Sequence, residues 1–363
     1  MDNDVFVYKV YIVYFIAVFL FILMLKLARI NRKQTVIFLG IVLVLGLSFR
    51  GIDQGLNDTR VVYMGIFDSV ENITYSDLLS SNLAKYTSVL FVWFTKFISD
   101  CSFHNFRFYI ITCAMLFVIP YELFIYKKCK NVYFANLLFV AFIYPYGFYI
   151  IRQCLSIGML LLSLCFVEEK VIRKKTFVFA TISVLLHPLA GVFITLYLLM
   201  ELVKKFDKLT IVNNILVVVI ALILILPGAF EFIFSYLPQD SKYGIFVLQN
   251  HYLSGELWVG AFIVYLILTL IPYFRYFTER RSSEEKFLVG MSLCTLLFIS
   301  TTNIMQDLVR IAYFFFPMNI VILSNDDTFR LMKMKKILKL AVTVCITFYC
   351  FGILLPQSNI IRW

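Results

Sequence analysis

Tyr149–Phe166 reads YIIRQCLSIGMLLLSLCF. From Cys154 onward the run would pass for a lipid-facing helix, yet Arg152 and Gln153 stand at its head. Crossing a ~30 Å hydrocarbon core takes about 20 residues at 1.5 Å each. A charge near the bilayer centre costs a few kcal/mol on insertion scales, so such residues are paired, functional or close to an interface. If this stretch spans, Arg152 sits at one membrane face. Comparable apolar runs recur along the whole chain.

Bulk properties agree. The 363 residues are 61% hydrophobic and 15% charged, with mean hydropathy +0.88. Soluble domains are nearer half apolar and a quarter charged. The 39 Phe and 22 Tyr suit interfacial belts and tight helix packing. A net charge of +11 invites a nucleic-acid reading, but 23 of the 33 Lys and Arg lie in six short stretches between apolar runs. These are 26–33, 127–130, 170–175, 204–208, 275–286 and 330–339. That is the positive-inside pattern of a membrane protein, and no nucleic-acid partner is expected. The eight cysteines show no CxxC or Cys/His ligand spacing, so neither a disulfide framework nor a metal site is expected.

Placing every basic stretch in the cytoplasm yields an all-α polytopic integral membrane protein. About 12 transmembrane helices are expected, some half-length or broken, in one transmembrane domain over 1–363. The first helix, about 5–26, is expected to be retained with its N-terminus outside. Residues 50–105 form an outer loop, and 230–255 a second. Within the first, 83–100 carries Lys85 and Lys96 and reads as an amphipathic helix at the outer interface. The runs 176–186 and 189–203 are half-length, with His187-Pro188 between them, because proline cannot continue the helix.

Four polar motifs then fall at outer helix ends. FRGIDQGLNDTRVVYMGIF (49–67) holds Arg50, Asp53, Asp58, Arg60 and Tyr63. Arg152-Gln153 is the second, and His187 in SVLLHPLAGVF (183–193) the third. NIMQDLVRIAYFFFP (303–317), with Asp307, Arg310 and Tyr313, is the fourth. Each has an ordinary alternative: a solvated loop, a snorkelling arginine, a structural histidine at a break, and an i, i+3 ion pair. Together they put three arginines and a histidine at one depth, where they repel unless an anion lies among them. Arginine suits phosphate, because its planar fork donates two hydrogen bonds and stays charged. An outward-opening pocket for a lipid-linked diphosphate is expected, without a metal or other cofactor. In an enzyme the base would come from His187, Asp58 or Asp307.

In this order the motifs resemble the EpsG-like branch of the Wzy-type O-antigen and exopolysaccharide polymerases. The resemblance runs from about Phe49 to Pro317. RQ followed by a small, apolar helix, a basic loop and LLHPLAG carries it most specifically. The first-loop aspartate is either Asp53 or Asp58, Pro188 replaces a commoner small residue, and Ala312-Tyr313-Phe314 replaces a double tyrosine. The resemblance implies a multi-pass glycosyltransferase of the bacterial inner membrane. Its partner would be an undecaprenyl-diphosphate-linked oligosaccharide in membrane lipid, with a chain-length regulator protein as a further candidate. Arg152 and Arg310 would bind the diphosphate with Arg50 assisting. Gln153 and Tyr313 would line the substrate site. His187 would be base or anchor, and Asp58 and Tyr63 would meet the sugar. The rival is a flippase for the same lipid-linked glycan. It would carry charges deeper in the bundle and often two related halves.

Overall fold

In a computed structural model of the chain, the described residues are 2–49, 62–78, 87–148, 150–167, 174–225, 259–278, 282–301 and 308–325. Among them the fold is all-α. The helices are α1 (Asp2–Leu27), α2 (Arg32–Ser48), the short α3 (Gly65–Ser69), α4 (Val89–Cys101), α5 (Phe106–Lys128), α6 (Val132–Phe142), α7 (Ile151–Phe166), α8 (Lys174–Leu186), α9 (Leu189–Lys205), α10 (Leu209–Ile225), α11 (Val259–Thr278), α12 (Ser283–Ser300) and α13 (Val309–Ser324). α5 is long and apolar enough to cross a membrane, and α6, α7, α10 and α13 are shorter apolar helices. This is the build of a helical membrane protein. The expected second outer loop (230–255) and last span (337–355) lie outside the described residues.

The described residues fall into two compact units that divide within α9, after Gly191. In the first, α5 packs against α2 and α7, and α7 against α8. Helix starts follow local chemistry: Asn31, Ser88, Asn105 and Asn131 each turn a side-chain oxygen onto a first-turn N–H. α6 stops earlier than the apolar run through Phe148 suggests. Pro145 and Gly147 interrupt it, and Tyr144–Phe148 forms a buried 3₁₀ turn instead. Gly158 of α7 lies so close to the Leu116 carbonyl of α5 that no side chain fits between them.

The basic stretches of this unit meet at one end. Arg32 donates to the carbonyls of Tyr126 and Cys129, both at 2.7 Å. Lys127 donates to the Cys165 carbonyl at 3.2 Å, and Lys175 lies over the Phe166 ring. The second unit is organised alike around α12, which packs against α10, α11 and α13. Lys204 pairs with Glu201 and Glu284, and Lys286 lies 4.0 Å from Asp207. This gathers the 204–208 and 275–286 stretches at the start of α12. Phe298 stacks on Phe315, so α13 runs back along α12 and begins at the opposite end.

Candidate functional site

The first unit brings together described residues from three of the four sequence motifs, Tyr63, Arg152-Gln153 and His187. α7 and α8 form an antiparallel hairpin with a polar seam. Ser156 Oγ donates to the Ser183 carbonyl at 2.7 Å, and Ser183 Oγ donates back to the Ser156 carbonyl at 2.7 Å. Seven residues along α7, Ser163 Oγ donates to the Thr176 carbonyl at 3.0 Å, seven residues back along α8. One register therefore holds over two turns. One turn further out, four residues from each serine, it sets Arg152 level with His187.

At that level α8 ends. The His187 N–H still bonds the Ser183 carbonyl, but Pro188 forbids another turn and α9 starts at Leu189. His187 is buried, with 8% of its surface exposed. Its Nδ1 accepts from the Leu189 N–H at 3.4 Å, and its carbonyl accepts from the Ala190 N–H at 3.0 Å. With Nδ1 accepting, the ring proton is assigned to Nε2. The break is anchored by Ser88, which caps α4 and donates its hydroxyl to the Leu186 carbonyl at 2.8 Å.

Arg152 lies in the first turn of α7, half-buried, and Gln153 beside it is 2% exposed. The N-cap, Ile150, has no side chain to offer the helix. Tyr63 supplies one: its hydroxyl accepts the Arg152 N–H at 3.3 Å. The Tyr63 ring is buried against Phe91 of α4, in a cluster that also takes in Ile151 and Leu186. Tyr63, Arg152 and His187 thus share one end of the unit, away from the basic stretches. The N-termini of α7 and α9 lie at that end and carry partial positive charge from aligned peptide dipoles, although the Leu189, Ala190 and Gly191 N–H groups of α9 and the Arg152 N–H of α7 are already bonded.

The sequence reasoning missed Arg107. It begins α5 and donates to the Ser48 carbonyl at 2.7 Å, at the last residue of α2. It is a further cation at the Arg152 end, overlooked because it reads as the flank of an apolar run. The seam serines were missed too, although their seven-residue spacing was visible.

Within the expected amphipathic segment 83–100, the described residues form α4 from Val89. Its inner face buries Phe91, Val92, Thr95 and Lys96, while Val89, Trp93 and Phe97 are exposed one turn apart. Lys96 survives burial by bonding Asp100 at 2.8 Å and the Glu71 carbonyl at 3.1 Å. That lysine holds the Asp100 carboxyl below the usual carboxylate range, and the Tyr75 hydroxyl, 2.8 Å away, acts in the same direction.

Arg310 and Tyr313 belong to the second unit. Arg310 is exposed at the start of α13, at the end remote from Lys204 and Lys286, and Tyr313 is buried within α13. In each unit, then, among the described residues, the motif arginines and the basic stretches occupy opposite ends. Arg50, Asp53, Asp58, Arg60 and Asp307 lie outside the described residues. Among the described residues no group of three or more His, Cys, Asp or Glu gathers for a metal.

The EpsG family model matches residues 33–361, nearly the whole chain. The chain belongs to the EpsG family. That family is associated with polysaccharide-polymerase-type activity at membranes, in line with the resemblance read from the motifs. Comparison with curated proteins and with solved structures returns no match. Family membership covers the α7–α8–α9 segment, both units and the stretch that holds Arg310.

Proposed function

We propose that this EpsG-family protein is a polysaccharide polymerase, a glycosyltransferase of the bacterial inner membrane. It transfers a growing glycan from undecaprenyl diphosphate to the non-reducing end of another lipid-linked repeat unit. One observation carries the proposal: the register of the α7–α8 hairpin sets Arg152 level with His187, at an end where two helix N-termini also open. Each helix N-terminus favours an anion by about 0.3–1 kcal/mol. The arginine adds bidentate hydrogen bonds that a diphosphate can accept. The described basic stretches sit at the other end, which under the positive-inside bias supports an outer-face site.

In this reaction the glycosidic bond to the diphosphate breaks and the acceptor hydroxyl takes the anomeric carbon. Negative charge grows on the leaving diphosphate, and cationic groups that hold it there lower the barrier. Arg152 fills that role. His187, with its ring proton assigned to Nε2, anchors a phosphate or sugar oxygen, and the base falls to another group, for which Asp58 is the candidate. Tyr63 holds the first turn of α7 and so aims Arg152. Arg50 and Arg310 are further candidates on their sequence motifs alone.

The test is the surface polysaccharide of a deletion strain complemented with variants. Arg152→Ala and His187→Ala collapse the ladder to a single repeat at normal protein level. His187→Gln retains a side-chain N–H donor and keeps part of the ladder. Loss of every surface repeat, single units included, would show a flippase instead. Wild-type ladders from both alanine variants would remove the site.

A further inference from the structure

Glu122 on α5 is 3% exposed, and Asn136 on α6 is fully buried. They lie away from the site above, toward the end where Arg32 and Lys127 bind carbonyls. Asn136 Nδ2 donates to Glu122 Oε2 at 3.3 Å and to the Val132 carbonyl at 3.0 Å. Both amide protons are therefore used on acceptors. Turned over, the amide would press its oxygen on those same acceptors, so chemistry fixes its orientation. Two buried oxygens remain without a partner, Glu122 Oε1 and Asn136 Oδ1. Both only accept, so no rearrangement within the pair satisfies them. The missing component is a donor.

The surrounding elements do not supply it. From α2 the contact is Gly40, where an added Cβ would lie 3.6 Å from Glu122 Cγ. Of the α2 cations, Arg32 is bound to the Tyr126 and Cys129 carbonyls, and Lys33 is exposed. On α6, Tyr133 donates its hydroxyl to the Ile30 carbonyl at 2.5 Å. On α5, Lys127 donates to the Cys165 carbonyl, Lys128 and Tyr126 are exposed, and Tyr121, its ring stacked on Phe139, has a buried hydroxyl that bonds neither oxygen.

We propose that Glu122 is a proton-binding site: its Oε1 carries a proton donated to Asn136 Oδ1, closing a two-bond carboxylic acid–amide clasp between α5 and α6. One proton satisfies both orphan oxygens at once. A metal cation would want several more oxygen ligands than this pair offers. Loss of the proton leaves an uncompensated charge in an apolar layer, so the clasp opens as pH rises. α5 is also the helix that Gly158 of α7 touches, so the clasp is continuous with the helix bearing Arg152. The inference stands apart from the proposed reaction.

Infrared spectroscopy of the purified full-length protein in detergent tests it. At neutral pH the wild type shows a carboxylic-acid C=O band that Glu122→Gln removes and Asn136→Leu shifts. If the wild type has no band that responds to either substitution, the proposal is overturned. Should Glu122→Gln fail to fold, the Asn136→Leu shift decides alone. Thermal unfolding is the second readout. Glu122→Gln carries a permanent donor, so its unfolding temperature holds steady from neutral to alkaline pH while the wild type's falls. Parallel curves overturn the proposal. So does recovery of the wild type by sodium or potassium at fixed alkaline pH, which would assign the site to a metal cation.

Discussion

The serine seam sets the α7–α8 register, so its removal has a calculable cost and a functional consequence. Ser183→Ala deletes the hydroxyl that donates to the Ser156 carbonyl and the 3.0 Å contact between the two hydroxyls. Ser156 Oγ keeps its 2.7 Å bond to the Ser183 carbonyl, so no buried donor is stranded. The single variant should therefore cost no more than an ordinary interhelical hydrogen bond in a membrane protein, about 0.6 kcal/mol and at most ~1.7. The Ser156→Ala, Ser183→Ala double-mutant cycle should show coupling in the same range, since each serine is the other's partner. Polymer ladders should survive the alanines, because alanine fits the same close approach. Ser183→Leu differs. Position 183 is fully buried against α7, and overpacking there costs typically 1–3 kcal/mol. It also pushes His187 away from Arg152, so the ladder should shorten beyond what the stability loss explains. The assays are unfolding in detergent, read against denaturant or temperature, and the surface polysaccharide gel. Zero coupling in the cycle, or a wild-type ladder from a folded Ser183→Leu protein, would refute the register argument.

Gly158→Ala should destabilise by about 1–3 kcal/mol, because the new methyl meets the backbone carbonyl of Leu116. Gly65→Ala, with open space around its Cβ, serves as the neutral control in the same unfolding assay. Arg107→Ala should lower polymer formation by freeing the Ser48 end of α2, with Arg107→Lys recovering only part of it, since lysine lacks the planar fork. Asp100 has a lowered folded-state carboxyl, so its contribution is present above the ordinary aspartate value of about 3.9 and is lost as pH falls through the lowered value. Asp100→Asn should flatten that acid-side loss in a pH series of unfolding temperatures, and an unchanged acid slope would show that the Lys96 contact contributes nothing.

Much of the helical layout was legible because insertion chemistry is local. Apolar runs interrupted by basic stretches mark helix ends, and α2, α5, α7, α8 and α9 begin or end within a few residues of where the pattern puts them. The misjudged element was the run through Phe148. Its apolar composition suits a continuous helix, but Pro145 and Gly147 outweigh hydropathy locally. Lys96 is a similar case. It looked like an obstacle to burial, yet α4 buries it because Asp100 lies one turn along and the Glu71 carbonyl comes from a different segment.

By itself the sequence determined the class of protein, the family and the candidate residues Arg152 and His187. The class follows from composition, the family from motif resemblance, and the candidate residues from their places along the chain. What it left open was which of those residues meet. That depends on the side-chain contacts that set helix register. Two serine–carbonyl contacts place Arg152 level with His187, and a tyrosine from 89 residues earlier holds the first turn of α7. The sequence also left the role of His187 open between base and anchor. The proposed anchor role rests on the contact of the Leu189 N–H with the His187 Nδ1, a contact set by the helix break. Such choices depend on contacts between residues far apart in the chain, which no local pattern encodes.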